Sequence, residues 1–168
     1  MAATAGSALV SRRNLRLVSG LTLFSYAGLH LVNHALGLHS LAAAEAMLAV
    51  AVRVWSSVPG TVVLYGAAAV HVGLALLALY ERRTLRMPAV EALRYVLGFA
   101  IPLLLIGHVF ATRVVTGMGG SPTYERIVWQ IFEGDRAWRQ FALVALAWTH
   151  GAIGITLWLR HRDWFARA

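Results

Sequence analysis

The chain contains no cysteine. Disulfides, thiolate ligation of an iron–sulfur cluster and a cysteine nucleophile are therefore excluded within it. It contains no lysine either, so its fifteen Lys/Arg positions are all guanidinium groups. Acidic residues number only seven. Charged residues make up 13% of the 168, about half the share expected of a soluble domain. No carboxylate falls inside the long apolar runs. A transmembrane proton relay, which needs a chain of ionisable groups, therefore has little to stand on. No internal repeat stands out, and the only biased segment is an alanine-rich stretch at 42–46.

What fills the sequence instead is apolar: 59% of residues are hydrophobic. Four windows, 15–38, 61–80, 93–115 and 141–159, approach or exceed the ~20 apolar residues a spanning helix needs. The first is too long for a cleaved signal peptide and lacks a small-x-small site. Between the first two windows, "LAAAEAMLAVAVRVWS" (41–56) carries Glu45 and Arg53 on a helix-forming background and reads as an interfacial segment. "TYERIVWQIF" reads as a second short interfacial helix, and Gly119-Gly120-Ser121-Pro122 marks a turn before it. Pro102 is predicted to kink the third span.

The net charge is +8, and its placement matters more than its size. Arg12, Arg13 and Arg16 precede the first span. Arg82, Arg83, Arg86 and Arg94 lie between the second and third, and Arg160, Arg162 and Arg167 follow the fourth. All three clusters fall on one side of a four-span path, which places both termini in the cytoplasm. This topology and lipid headgroups account for the arginines, so no nucleic-acid partner is expected. The expected fold is an all-α membrane protein. It is an up-down bundle of four transmembrane helices with short interfacial helices, forming one domain over residues 1–168.

Each span carries a histidine in its apolar interior: His30, His71, His108 and His150. An ionisable residue at membrane depth is a functional candidate by default. The alternative is an imidazole that merely hydrogen-bonds a neighbouring helix. The first charge of each span serves as a depth ruler. His30 and His108 each stand 14 residues from an arginine, Arg16 and Arg94, roughly 21 Å up. His71 and His150 stand 10 residues from Glu81 and Arg160, roughly 15 Å up. Two tiers result, spans one and three supplying one and spans two and four the other. That arrangement suits two haems, each iron held axially by two imidazoles. A single four-histidine zinc or copper site fits less well, because its ligands would share one depth.

Gly28, Gly73, Gly107, Gly151 and Gly154 flank these histidines and leave room for a macrocycle or for close helix packing. Arg113 and Arg53 are the outer candidates to pair with haem propionates; Ser19, Arg16 and Arg94 are the inner ones. His34, one turn beyond His30, is a candidate to hydrogen-bond a propionate or a quinone rather than to ligate the same iron. His39 is assigned to the outer interface and His161 to the basic tail.

The four histidines resemble those of the di-haem cytochrome b membrane subunits of succinate dehydrogenases and fumarate reductases. "LRLVSGLTLFSYAGLHLVNHALGLHSL", "PGTVVLYGAAAVHVGLALLALYERRTLRMP" and "AWTHGAIGITLWLR" are similar to the N-terminal membrane anchors of alphaproteobacterial class III adenylate cyclases. The resemblance implies two b-type haems on His30, His71, His108 and His150. It also implies a bacterial inner-membrane location, ferredoxin-like and cyclase domains C-terminal to this segment, and a homodimer. The cluster cysteines and cyclase carboxylates of that family have no counterpart here, so the sequence reads as the membrane segment of a longer protein. The expected role is redox or quinone sensing for a cytoplasmic output. An electron-transfer anchor subunit and a cofactor-free structural anchor remain the alternatives.

Overall fold

The computed structural model describes residues 11–114, 117–120, 123–134, 136–160 and 162–165. His161, Arg167, Val115, Ser121 and Pro122, each part of an expectation above, lie outside them. The regular structure among the described residues is all helical, with no strand. Six α-helices are seen: α1 (Arg12–Leu36), α2 (Leu41–Trp55), α3 (Val58–Tyr80), α4 (Ala89–Val109), α5 (Tyr124–Phe132) and α6 (Arg136–Leu159). A π-helical turn, Phe110–Val114, continues α4. Four of these segments are long and apolar enough to cross a bilayer, which marks the chain as a membrane protein.

Four of the helices start at a capping side chain. Ser11, Ser40 and Ser57 each accept a hydrogen bond from the backbone N–H three residues on, at 3.1–3.2 Å. Thr123 caps α5 in the same way through Arg126 N. Each cap satisfies a donor that the first helical turn leaves orphaned. Pro59 sits within the first turn of α3, where its missing N–H costs nothing. Pro102 does not end α4, which runs on through it. The opening of the ladder comes later, at the π-turn, one turn beyond His108.

The chain divides into two compact units, one ending at Leu85 and one beginning at Arg86. In the first, α1 packs against α3 and α2 packs on both. In the second, α4 packs against α6, and α5 against α6. Neither unit has much of an interior. Among the described residues the buried apolar side chains are Ala44, Leu97, Tyr124 and Leu143. Leu103, Ile106, Phe110, Val62, Val96 and Phe141 are each more than half exposed. Apolar surface on that scale belongs against lipid or a partner, not water.

A repeat that composition does not announce emerges from the packing. "LRLVSG" at 15–20 and "LRYVLG" at 93–98 share Leu-Arg-x-Val-x-Gly. In each unit the glycine of that motif lies against the histidine of the partner helix, His71 or His150. The expectation of no repeat is thus corrected.

Candidate haem-ligating histidines

The helix pairs of both units run antiparallel. In the first, Arg12 bonds Glu81 at 2.7 Å, while His71 Nδ1 lies 3.1 Å from the Arg16 carbonyl. In the second, His150 Nδ1 lies 3.0 Å from the Arg94 carbonyl, and Gln140 hydrogen-bonds His108 nearer the other end. A carbonyl can only accept, so each imidazole donates Nδ1–H and carries its lone pair on Nε2. Glycine makes this contact possible. A Cβ on Gly20 would stand 2.8 Å from His71 Cε1, and one on Gly98 would stand 2.7 Å from His150 Cε1. Both are closer than carbon atoms can pack.

This register corrects the depth ruler. His71 lies level with Gly20, and His150 with Gly98. Ten helical residues separate Gly20 from His30 and Gly98 from His108, about 15 Å of rise. The ruler gave a stagger of only about 6 Å. It failed because Arg16 and Arg94 do not mark the rim of the packed pair. Arg12, a turn earlier, is the residue that meets Glu81. Within one unit the two histidines therefore cannot share a metal ion.

The outer histidines have different surroundings. His30 stacks on Tyr26, with ring centroids 6.0 Å apart, and Tyr26 meets Trp55 of α2 edge-on at 5.0 Å. His34 Nε2 lies 3.3 Å from His30 Nε2. In the second unit Thr112 takes the place one turn beyond His108, and its hydroxyl donates to the His108 carbonyl at 2.8 Å.

Of the other expected residues, Ser19 joins the inner site. It is buried, its hydroxyl donates to the Arg16 carbonyl at 3.1 Å, and it lies 3.4 Å from His71 Nδ1. Arg16 and Arg94 enter through their backbone carbonyls. Arg94 also stacks on Tyr95 and lies 4.0 Å from Glu91. Arg53 is exposed on the last turn of α2, and Arg113 is partly exposed on the π-turn. His39 is exposed in the turn after α1. Gly28, Gly73, Gly107 and Gly154 face open space.

Gly20, Gly98, Tyr26, Asn33 and Gln140 were not singled out in the sequence. For the two glycines the shared Leu-Arg-x-Val-x-Gly motif is the signal that would have found them. Asn33 is only 3% exposed, and its Oδ1 has no hydrogen-bond partner among the described residues. No family model, curated protein or solved structure matches the chain.

Proposed function

We propose that the chain is a redox domain holding two b-type haems, His30 with His108 on one iron and His71 with His150 on the other. The observation that carries this reading is the donation of Nδ1–H from His71 and His150 to backbone carbonyls. A metal-ligating histidine characteristically donates its second ring N–H in this way, which fixes tautomer and ring orientation and raises ligand basicity. The glycines opposite both rings favour the same reading, because they keep the imidazoles against the carbonyls. The pairing itself rests on the equal spacings in the sequence, and the ~15 Å stagger gives each level its own space.

Haem bound at two such levels supplies one-electron exchange. With two histidines assigned to each haem, the chain's residues would hold the group and tune the one-electron exchange it would supply. Arg113 and Arg53 are assigned to outer propionates, and Arg16 and Arg94 to inner ones. A quinone or other lipid is the redox partner that a bilayer provides.

The charge clusters favour cytoplasmic termini on an up-down four-span path, and the resemblance to cyclase anchors implies a bacterial inner membrane. By its resemblance to cyclase anchors, the domain senses redox state for a C-terminal cyclase and works as a homodimer. The test is a pyridine haemochrome assay with a reduced-minus-oxidised spectrum on haem-loaded protein. Two haems per chain are expected, with His71→Ala and His150→Ala each removing the same one. One haem or none in the wild type overturns the reading. Redox signalling is tested separately, by fusing residues 1–168 to a cyclase domain and assaying it oxidised and reduced. Equal activity in both states rejects the sensing role.

A further inference from the structure

We propose that the start of α1 and the end of α3 form a binding site for the phosphodiester headgroup of an anionic membrane phospholipid. A cavity of about 150 Å³ lies between these two helix ends. Arg12, Arg13 and Arg16 line it from α1, and Leu77, Ala78 and Glu81 line it from α3. Three guanidinium groups against one carboxylate leave a surplus of positive charge around a small space. Arg12 donates to Glu81 at 2.7 Å. That bond fixes the guanidinium beside the cavity and leaves its other N–H donors for a ligand. Arg13 and Arg16 have no acidic partner among the described residues.

The surroundings select the ligand. Arginine presents N–H donors in a fork that matches phosphate oxygens. Both helices are long and apolar enough to span, and the cavity lies where they end. In a bilayer that level is the headgroup region. Leu77 and Ala78 supply an apolar wall, which suits the glycerol-ester end of a lipid and offers nothing to a hydrated free phosphate. Basic pockets between spanning helices are a known setting for anionic headgroups. A phosphodiester carries a single negative charge and falls to Arg12 and Arg13. Arg16, one turn further along α1, keeps the propionate assigned to it.

The second unit lacks the means. The shared Leu-Arg-x-Val-x-Gly register sets Val90 and Glu91 where Arg12 and Arg13 stand. Arg94, the counterpart of Arg16, lies 4.0 Å from Glu91. Leu157 takes the place of Ala78, so a bulky side chain stands where the first unit has a small one. Orientation in the membrane needs positive charge on one side. It does not require guanidinium groups to converge on a cavity.

The test uses the full chain in detergent micelles, stripped of co-purified lipid, with retained lipid counted by native mass spectrometry. Dioleoylphosphatidylglycerol is the probe and dioleoylphosphatidylcholine the zwitterionic control. The wild type is expected to retain one phosphatidylglycerol per chain, about fivefold more readily than phosphatidylcholine. Arg13→Gln is expected to weaken that retention about fivefold, the worth of one arginine near an anionic headgroup. Ala78→Leu fills the cavity without altering charge and is expected to weaken it by a similar factor. Arg83→Gln, exposed in the loop after α3, is expected to match the wild type. Arg13 is exposed, so its variant keeps the test decisive if Ala78→Leu fails to fold. The readout does not involve haem, so failure of the haem reading would leave this result standing. Equal retention of the two lipids overturns the site, as does wild-type retention by Arg13→Gln. Displacement of phosphatidylglycerol by an equal concentration of inorganic phosphate rejects the lipid in favour of the free anion. Unchanged retention in folded Ala78→Leu rejects the cavity and leaves only surface charge.

Discussion

Arg16, Gly20 and His30 stand along α1 at the spacing that Arg94, Gly98 and His108 keep along α4. Across from them, His71 and His150 make the same contact, Nδ1 to carbonyl and ring against glycine. Away from these positions the units part company. The first has Ser19 at the inner contact and Tyr26, Asn33 and His34 around the outer histidine. The second has Leu97, Leu104, Ala111 and Thr112 at the matching places. What is common to both units is what the proposed haem ligation would use; what differs would be available for tuning or for other work. This division makes the comparison testable, since a shared position should matter equally on both sides.

The largest effect is expected at the glycines. Gly20→Val and Gly98→Val push His71 and His150 off their carbonyls, because even the added Cβ lies under 3 Å from each ring. Each variant is expected to lose one haem of two, the same one in both cases, read by pyridine haemochrome and difference spectrum. Loss in one variant with retention in the other would break the equivalence of the units.

Gly60→Ala tests a place where the units differ. A Cβ there runs into the Val54 carbonyl and stands 2.9 Å from the Trp55 Cα, at the tight α2–α3 junction. Backbone cannot yield as a side-chain tip can, so a cost of about 1–3 kcal/mol is expected. It should fall on the first unit. Hydrogen exchange is expected to quicken over 41–80 and to stay unchanged over 136–159. Equal quickening in both would show that the units unfold as one.

The same comparison explains what the sequence disclosed. The four long helices were readable because apolar runs of bilayer length have few other uses. The histidines were readable because an imidazole stands out against oil. Gly20 and Gly98 were not, because space was sought beside each histidine on its own helix. The space that matters lies on the facing helix, ten residues from His30 or His108. Depth was misjudged for a related reason. Counting from charges treats each helix alone, whereas the register between antiparallel helices is set by their packing. His34 was placed on the correct face of α1, but only coordinates bring its Nε2 to that of His30.

A smaller effect is expected at Asn33, buried in the first unit where the second has exposed Ala111. An amide oxygen buried without a partner costs about 1–3 kcal/mol. Asn33→Leu keeps much of the volume and removes the unsatisfied group. A gain of about 1 kcal/mol is expected, read as a higher midpoint of thermal unfolding. A lower midpoint would mean that the oxygen has a partner in the assembled protein.

The smallest effect should come from Ser19. Its hydroxyl and the His71 imidazole both address the Arg16 carbonyl, at 3.1 Å each. In the second unit Leu97 brings no competing donor where Ser19 does in the first, and His150 Nδ1 lies 3.0 Å from the Arg94 carbonyl. Two donors on one oxygen weaken each other, so His71 would be the less strongly polarised of the two proposed ligands. Ser19→Ala gives the carbonyl wholly to the imidazole and makes Nε2 more basic, which would stabilise the oxidised form of a haem held there. A single hydrogen bond is worth about 0.5–1.5 kcal/mol, so the inner haem's potential is expected to fall on the order of tens of millivolts. Leu97→Ser introduces the competitor beside His150 and should raise the potential by a similar amount, with both haems retained. An optical redox titration of the two variants reads both shifts. Shifts of the same sign would show that the hydroxyl acts through polarity or volume rather than through the shared carbonyl.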